Sequence, residues 1–360
     1  MAETSRNDKD LTVAGIGEAG LLARILPRLQ GADMLLGPGD DAAVIAAPGG
    51  RFVFTVDTLV QDQDFRLRWR SGYQSTGYDV GWKSAAQNLS DVNAMGAVAT
   101  AAVISLTLPP ATPVAWAEGI ADGFTAAVRE LGASHCALAG GDLSSGGELS
   151  ITAALTGSLA GSAVLRSGAR LGDVVAVCGV LGAAAAGLSL LEADLPHAAL
   201  DDAVRNLVSL QCRPRPPLWA GPAAAAAGAT AMMDISDGLV RDGGRMARAS
   251  SVSIDLDSAA LHRLRVDMSS RGIDVAAAAE RLGGDPLDWM LAGGEDHGLL
   301  ACFPGTATIP AGFHAVGTVV ETGEPAKDAN VGAPLVFLDS LPLHEAREAF
   351  RGPGFDHFGG

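Results

Sequence analysis

The chain has 360 residues, of which 48% are hydrophobic and 18% charged, and these proportions exclude an intrinsically disordered protein. Its net charge of −16 argues against a nucleic-acid-binding surface, because such a surface needs clustered Lys and Arg. No apolar run is long enough to cross a membrane, the polar first ten residues are no signal peptide, and the four scattered cysteines indicate reduced thiols, so we expect a cytoplasmic protein without membrane contact.

The first half of the chain alternates between helix-like and strand-like segments. In chain order we predict a helix over 18–29, strands over 41–47 and 51–57, a helix over 75–96, a strand over 100–108, a helix over 113–131, a short strand over 135–141 that ends in glycine, and a longer strand over 148–159. The Pro-Gly-Gly sequence at 48–50 is typical of the turn between two strands.

The second half begins at a polar turn over 166–173. In chain order we predict a strand over 174–179, helices over 182–193 and 199–211, an alanine-rich helix after residue 222, a helix over 237–249, a strand over 253–257, a helix over 275–283, and strands over 298–303, 314–320 and 335–338. Because helices and strands are mixed in both halves, the predicted fold class is α+β, with domains at 1–165 and 166–360 that meet near residue 165.

The sequence GYDVGWKS at 77–84 resembles the end of a phosphate-binding P-loop. That loop requires Gly-Lys-Ser/Thr, and here Trp82 stands between Gly81 and Lys83. We therefore interpret Lys83 as a solvated or helix-face residue, and any nucleotide must bind without a P-loop.

Aspartates beside glycine or small residues, at the ends of predicted strands and helices, form the strongest pattern. They are Asp40, Asp41, Asp57, Asp91, Asp142, Asp234 and Asp237. Asp91, Asp142 and Asp237 each have an ordinary structural explanation, but Asp57 interrupts an apolar strand. The adjacent Asp40 and Asp41 place two like charges side by side, which is unfavourable unless a cation intervenes. Together these carboxylates predict Mg²⁺ that bridges to phosphate groups, with Asp41 the better candidate ligand and Asp40 the residue that holds the glycine turn.

The order of the motifs GPGDDAAV, TVDTLV, NLSDVNAMGA, GGDLSSG, LRSGARLGD, DISDGL, GGEDH and GFDHF resembles the thiamine-monophosphate kinase family. That family belongs to the aminoimidazole ribonucleotide synthetase-like superfamily, and the resemblance runs over essentially the whole chain. It implies a two-domain fold in which an N-terminal sheet domain forms a homodimer and an α/β domain follows. It also implies transfer of the γ-phosphoryl group of ATP to thiamine monophosphate, giving thiamine diphosphate.

The resemblance also implies roles for individual residues. The implied ligands of several Mg²⁺ ions are Asp41, Thr55, Val56, Asp57, Asp91, Asp142, Asp234 and Asp237, the last of these at the start of a helix. The implied ATP contacts are Gly141, Asp142, Arg166 and Ser236. The implied contacts to thiamine monophosphate are Asp64, Glu295 and Phe355. Two features depart from the family pattern: Asp64 stands where histidine is common, and GGDLS replaces GGDTT.

We expect a direct in-line transfer in which no side chain abstracts a proton, because a phosphate monoester is already mostly ionised near neutral pH. Two alternatives stay open at this point. One is another ATP-dependent synthetase of the superfamily, and the other is a non-catalytic module that binds a nucleotide or thiamine. Against the first, the chain lacks the early cysteine expected of a selenophosphate synthetase and the C-terminal cysteine expected of a maturation dehydratase.

Overall fold

The structure is a computed structural model that describes residues 34–36, 40, 43–47, 50–322 and 335–346. Their strands form one sheet of six strands and one of seven. The first sheet contains Met34–Leu36 (β1), Ala43–Ala47 (β2), Gly50–Val60 (β3), Val98–Leu108 (β4), Ala137–Ser145 (β5) and Ser150–Ser158 (β6). The second contains Val174–Cys178 (β7), Ala231–Ile235 (β8), Ser253–Leu256 (β9), Gly298–Phe303 (β10), Phe313–Val320 (β11), Val336–Leu338 (β12) and Leu341–Pro342 (β13).

Helices separate many of these strands. In chain order the α-helices of the described residues are Gly77–Ala94 (α1), Val114–Glu130 (α2), Ala183–Glu192 (α3), Asp202–Cys212 (α4), Ala220–Ala226 (α5), Leu239–Ser250 (α6), Ser258–Ser270 (α7), Val275–Leu282 (α8), Pro286–Ala292 (α9) and Leu343–Ala346 (α10). Within the described ranges no helix is both long enough and apolar enough to span a membrane.

The first sheet has the strand order β1-β2-β3-β6-β4-β5. The hairpin β2–β3 and the central strand β6 pair antiparallel, while β4 and β5 pair parallel and are connected through α2, as a parallel pair requires. Burial alternates along β6, where Ile151, Ala153 and Leu155 have no exposed surface. One face of the sheet is therefore covered by helices and the other is open.

Helix α1 lies on the covered face and packs closely against α2. A capping box fixes its start, because Thr76 and Asp79 exchange hydrogen bonds between side chain and backbone. Glycines let the two helices touch: a Cβ atom at Gly81 would lie 2.0 Å from the Ile120 carbonyl oxygen, and one at Gly123 would lie 2.0 Å from that of Tyr78. The backbones cross at a distance that only glycine permits.

The second sheet is covered on both faces. Its order is β13-β12-β9-β11-β7-β10-β8, and all neighbours pair antiparallel except β9 and β12. In β7, Val175 and Val177 pack into one apolar cluster, while Ala176 and Cys178 pack into another on the opposite face. Such two-sided burial explains why β7 and β10 are continuously apolar in sequence.

The opposite side of α1 contacts the second half of the chain. Trp82 Nε1 donates to the Pro214 carbonyl oxygen at 2.8 Å, and Asn93 Oδ1 accepts from the Gly221 amide at 2.8 Å. Ala94, at the end of α1, belongs to an apolar cluster that otherwise comes from the second half. Helix α1 therefore joins the two halves, and almost every residue along it is buried.

The mixture of helices and strands in both halves confirms the predicted α+β class, and the predicted elements between 50 and 322 are present. Three details differ. Helices α7 and α9 were not predicted, and β5 continues past the glycines to Ser145. The domain boundary near residue 165 stays a prediction. The predicted helix over 18–29 lies outside the described residues, as do Asp41 and Phe355.

Candidate functional site

Side chains from both halves meet beside α1. The first half contributes the end of β3 and the turn that follows it, and α1 contributes Lys83, Ser90 and Asp91. The second half contributes the end of β8 with the loop that follows it, which together read DISDG (the DISDG loop), and the loop before β10, which reads GGEDH. The last two loops are joined by a hydrogen bond from the Glu295 amide to the Ser236 carbonyl oxygen at 2.7 Å. The site is thus built from four segments that are distant in sequence.

On β3, three consecutive candidate ligands alternate between the two faces of the sheet. Thr55 is buried, and its Oγ1 donates to Asp91 Oδ2 at 2.7 Å. Val56 points to the open face and is 57% exposed. The covered side of the strand therefore supplies Thr55 together with Asp57, and Val56 offers only its backbone to anything on that side.

The carboxyl group of Asp57 lies in a poorly solvated place, although much of its residue surface reaches solvent. Desolvation by the surrounding protein raises the pKa of Asp57 to about 6. A hydrogen bond from the Thr58 amide and the nearby charge of His297 lower this pKa, but their effect is smaller. Asp64 and Asp234 add repulsion. Such a carboxylate gains from a cation that neutralises it.

Asp234 is the next-to-last residue of β8 and is almost fully buried. Its Oδ2 accepts from Ser90 Oγ at 3.1 Å and lies 3.4 Å from His297 Nδ1. Ser90 comes from α1 and His297 from the GGEDH loop, so this carboxylate is oriented by both halves of the chain. His297 has a φ of +52°, which is uncommon for a non-glycine residue.

The GGEDH loop directs three adjacent titratable side chains to three different partners. Glu295, with a φ of +65°, faces α1 and α4. Asp296 is buried and accepts from the amides of Gly182 and Ala184, at 2.5 and 2.8 Å, at the start of α3. Desolvation raises the pKa of Asp296 to about 7, although these backbone hydrogen bonds lower it. The loop is thereby fixed by polar contacts on each side.

Lys83 corrects our interpretation of a solvated side chain, although it does lie on a helix. It is only 3% exposed, its Nζ forms a short ion pair with Glu295 Oε1, and it donates to the Asp64 carbonyl oxygen at 2.7 Å. Desolvation raises the pKa of Glu295, but the Lys83 charge and the hydrogen bonds from Lys83 and Gln211 outweigh it, so the net shift is downward. A buried lysine thus joins two predicted contacts of thiamine monophosphate.

The Asp64 carboxylate closes its own turn. Its Oδ2 accepts from the Val60 amide at 2.7 Å, while the Asp64 amide donates to the Val60 carbonyl oxygen at 3.0 Å. This use of a short acidic side chain gives a physical reason for aspartate at the position.

Asp237 does not open a helix, because α6 begins two residues later at Leu239. It forms a short ion pair with Arg245, and its amide donates to Asp242 Oδ2 at 2.9 Å. Asp242 has no exposed surface, and desolvation raises its pKa to about 7, with repulsion from Asp237 and Asp234 adding to the shift. The buried carboxylate of Asp242 therefore holds the DISDG loop, which includes Ser236, in place.

Arg166 contacts Asp40 across 126 residues of sequence. The Asp40 carboxylate accepts from the Arg166 amide at 3.3 Å, and its Oδ1 lies 3.4 Å from Arg166 Nε. Asp40 therefore binds the segment that follows the first sheet, a contact that the sequence did not indicate.

Asp142 lies away from the other predicted ligands. Strand β5 is at the edge of the sheet and exposed along its length. The pairing places Asp142 beside Ser105, in the row of Thr152 and Thr58 on the open face, whereas Asp57 is on the opposite face. Gly141 takes the covered side, where a Cβ atom would lie 1.7 Å from the Ile104 carbonyl oxygen.

The donor set fits a hard cation only in part. Within the described residues no three His, Cys, Asp or Glu side chains are grouped closely enough to hold a metal ion. Mg²⁺ is, however, commonly held by one or two carboxylates together with substrate phosphates and water. Asp57 and Asp234, both oxygen donors in poorly solvated surroundings, fit that kind of open site.

Comparisons with known proteins show which family the chain belongs to. A family model described as "AIR synthase related protein, N-terminal domain" matches residues 39–159. The thiamine-monophosphate kinase of Mycobacterium tuberculosis strain H37Rv is 44% identical over 86% of this chain and 87% of its own length. The chain belongs to the thiamine-monophosphate kinase family.

Further matches extend over nearly the whole chain. The thiamine-monophosphate kinase of Corynebacterium glutamicum is 38% identical over 86% of this chain and 88% of its own length. The solved structure of AaThiL complexed with AMPPCP and TMP has a TM-score of 0.77 at 29% identity and covers 99% of this chain and 100% of that one. The predicted aminoimidazole ribonucleotide synthetase-like fold of thiamine-monophosphate kinases is thereby confirmed.

Sequence reasoning missed four residues of the site: Lys83, Ser90, Gln211 and His297. His297 carried a signal, since it belongs to the GGEDH motif by which the thiamine-monophosphate kinase family is recognised. Lys83 was set aside when the P-loop pattern failed, although it is the one basic residue of α1. Ser90 and Gln211 give no sequence signal, because each matters only through a partner that is distant in sequence, Asp234 and Glu295 respectively.

Proposed function

We propose that this protein transfers the γ-phosphoryl group of ATP to thiamine monophosphate and forms thiamine diphosphate and ADP. The observation that carries the proposal is the 44% identity with a thiamine-monophosphate kinase over 86% of the chain. The full-length likeness to AaThiL, solved with AMPPCP and TMP, supports it further. In the reaction an oxygen of the thiamine monophosphate phosphate forms a bond to the γ-phosphorus, and the bond from that phosphorus to the bridging oxygen breaks, leaving the electron pair on ADP.

Mg²⁺ is part of this proposal. Its proposed ligands are Asp41, Thr55, the Val56 backbone, Asp57, Asp91, Asp142, Asp234 and Asp237. When bound, the ions would neutralise phosphate charge and stabilise the charge that develops during transfer. A chain with a net charge of −16 needs such a bridge to attract polyanionic ATP. Ser90 and His297 would keep Asp234 in one orientation for this task.

The nucleotide and the acceptor are proposed to bind through separate groups. The residues proposed for ATP are Gly141, Asp142, Arg166 and Ser236, and those for thiamine monophosphate are Asp64, Glu295 and Phe355. The acceptor phosphate is already ionised, so no side chain has to remove a proton. The protein's contribution is positioning and electrostatic stabilisation.

A homodimer is also part of the proposal. The open face of the first sheet exposes Phe54, Val56 and Val103 at 40%, 57% and 45%. These residues share one face by strand register, which makes an exposed apolar patch on a sheet. A second copy of the chain is the occupant that the family resemblance implies.

A coupled assay of ADP formation tests the function. With ATP, Mg²⁺ and thiamine monophosphate we expect steady turnover, whereas thiamine, which lacks the acceptor phosphate, should give none. Tight binding of ATP without any turnover would favour the non-catalytic module. Turnover only with another acceptor would favour a different synthetase of the superfamily.

A further inference from the structure

Three side chains form a polar cluster where the two halves meet: Lys83 of α1, Gln211 of α4 and Glu295 of the GGEDH loop. We propose that Lys83 and Gln211 are positioning residues that fix the Glu295 carboxylate for thiamine monophosphate. The inference rests on the proposed function, in which Glu295 contacts that substrate. It adds the residues that hold Glu295 in place and join it to the turn at Asp64.

Both oxygens of the Glu295 carboxylate are engaged by donors from the protein. Lys83 Nζ pairs with Oε1, and Gln211 Nε2 donates to Oε2 at 2.5 Å. The two donors come from different helices, so they fix the plane of the carboxylate as well as its position. The Glu295 side chain keeps 31% exposure, so it is held rigidly while it remains within reach of a ligand.

Lys83 also joins the two candidate substrate contacts to each other. The same ammonium that pairs with Glu295 donates to the Asp64 carbonyl oxygen at 2.7 Å. Asp64 follows β3 in the first half, whereas Glu295 precedes β10 in the second. A single buried nitrogen therefore sets the spacing between two segments that are 231 residues apart, the difference between positions 295 and 64.

Stability alone gives no reason for this arrangement. A buried ion pair contributes no more than well-packed apolar side chains of the same volume, and often less. Gln211 is also incompletely satisfied: it is 3% exposed, and its Oε1 has no hydrogen-bond partner among the described residues. A buried unpaired oxygen is unfavourable for folding. Orienting the Glu295 carboxylate is a role that explains why the cluster is present.

Three variants test the proposal, each assayed for kcat, for KM of both substrates and for binding of thiamine monophosphate by calorimetry. Lys83→Met removes the ammonium and keeps the length of the side chain. Gln211→Met removes one hydrogen bond, and it should fold well because it also removes the unpaired oxygen. The control is Arg213→Met, which breaks the contact of Arg213 Nε with Asp79 Oδ1 (3.3 Å), also between α1 and the second half.

We expect Lys83→Met and Gln211→Met to raise the KM and the dissociation constant of thiamine monophosphate about 10- to 100-fold. Their KM for ATP should stay close to that of the wild type, and Arg213→Met should change neither constant. Unchanged affinity for thiamine monophosphate in folded Lys83→Met and Gln211→Met overturns the proposal. So does a loss that is equal for ATP and thiamine monophosphate, since that indicates a merely structural role.

The proposed function fails in a different way. A wild-type protein that binds thiamine monophosphate but forms no ADP contradicts the phosphoryl transfer, while the calorimetric comparison of the variants still decides the positioning role. A wild type that neither binds nor converts thiamine monophosphate overturns both.

Discussion

At the scale of single residues, Asp57 carries the most chemical information. It stands within an apolar strand, and desolvation raises its pKa to about 6. Because this pKa exceeds that of the unfolded chain, the ionised carboxylate destabilises the fold progressively from about pH 4 to pH 6 and remains unfavourable above. A residue that is kept at a cost to stability is a good candidate for function.

Asp57→Asn should therefore lower kcat by about 100-fold or more without loss of stability. In magnesium-free buffer at pH 8 its melting temperature should equal or exceed that of the wild type, because the unfavourable charge is gone. Turnover rates and melting curves of the two proteins check this. An unchanged rate would contradict the role of Asp57 as a metal ligand.

Asp296 gives a prediction for pH dependence. Burial raises its pKa to about 7, so the folded protein binds more protons than the unfolded chain between about pH 4 and pH 7. The contribution of Asp296 to the free energy of unfolding should fall as pH rises through this window and level off above it. The melting temperature of the wild type minus that of Asp296→Asn should therefore fall from pH 5 to about pH 7 and stay constant from there to pH 8. A difference that is constant with pH would show that Asp296 is ionised throughout.

At the scale of elements, α1 organises the molecule. One side packs on the first sheet and α2, and the other side holds the second half through Trp82, Lys83, Ser90 and Asn93. Close packing with α2 requires glycine at the crossing point, so a small change in this helix should affect the whole fold.

Gly81→Ala should destabilise the protein by about 1–3 kcal/mol, because its Cβ atom would lie 2.0 Å from the Ile120 carbonyl oxygen and the helices must separate. Urea unfolding measures the difference. Gly147→Ala is the matched control, since nothing lies within 4 Å of a Cβ atom there. Equal stability of Gly81→Ala and wild type would mean that the helices do not cross as closely as described.

How far the sequence predicts these elements depends on where their partners lie. Strand β6 was predicted because its buried and more exposed residues alternate along the chain, a pattern that is visible in the sequence itself. Helix α7 was missed because charged residues interrupt its apolar ones. Its N-cap, Asp257, is a single residue and does not by itself predict a helix. Strand β5 was cut short at the glycines, although pairing with β4 carries it to Ser145.

The candidate site was predictable in part for the same reason. Motif order located the aspartates and Glu295, since each stands beside glycine in a recognisable stretch of sequence. The contacts of Lys83 with Glu295 and of Asp40 with Arg166 join residues 212 and 126 positions apart. No local pattern encodes such pairs, because the burial that makes them necessary arises only when the two halves of the chain pack together.

At the scale of the whole molecule, the open face of the first sheet exposes apolar side chains that one chain leaves uncovered. Val103→Glu places a charge in the centre of this face and should convert a dimer to a monomer, which light scattering after gel filtration would detect. Val266→Glu is the control, because Val266 is 52% exposed on α7, outside the first sheet. A wild type that elutes as a monomer would contradict the proposed homodimer.

In the proposed reaction both halves of the chain together bring ATP to thiamine monophosphate for direct transfer. The most direct measurement follows the label from ATP that carries ³²P in its γ-phosphoryl group. With Mg²⁺ present, we expect the label to appear in thiamine diphosphate in step with the formation of ADP. Label released as inorganic phosphate, or retained on the protein as a covalent intermediate, would contradict direct transfer.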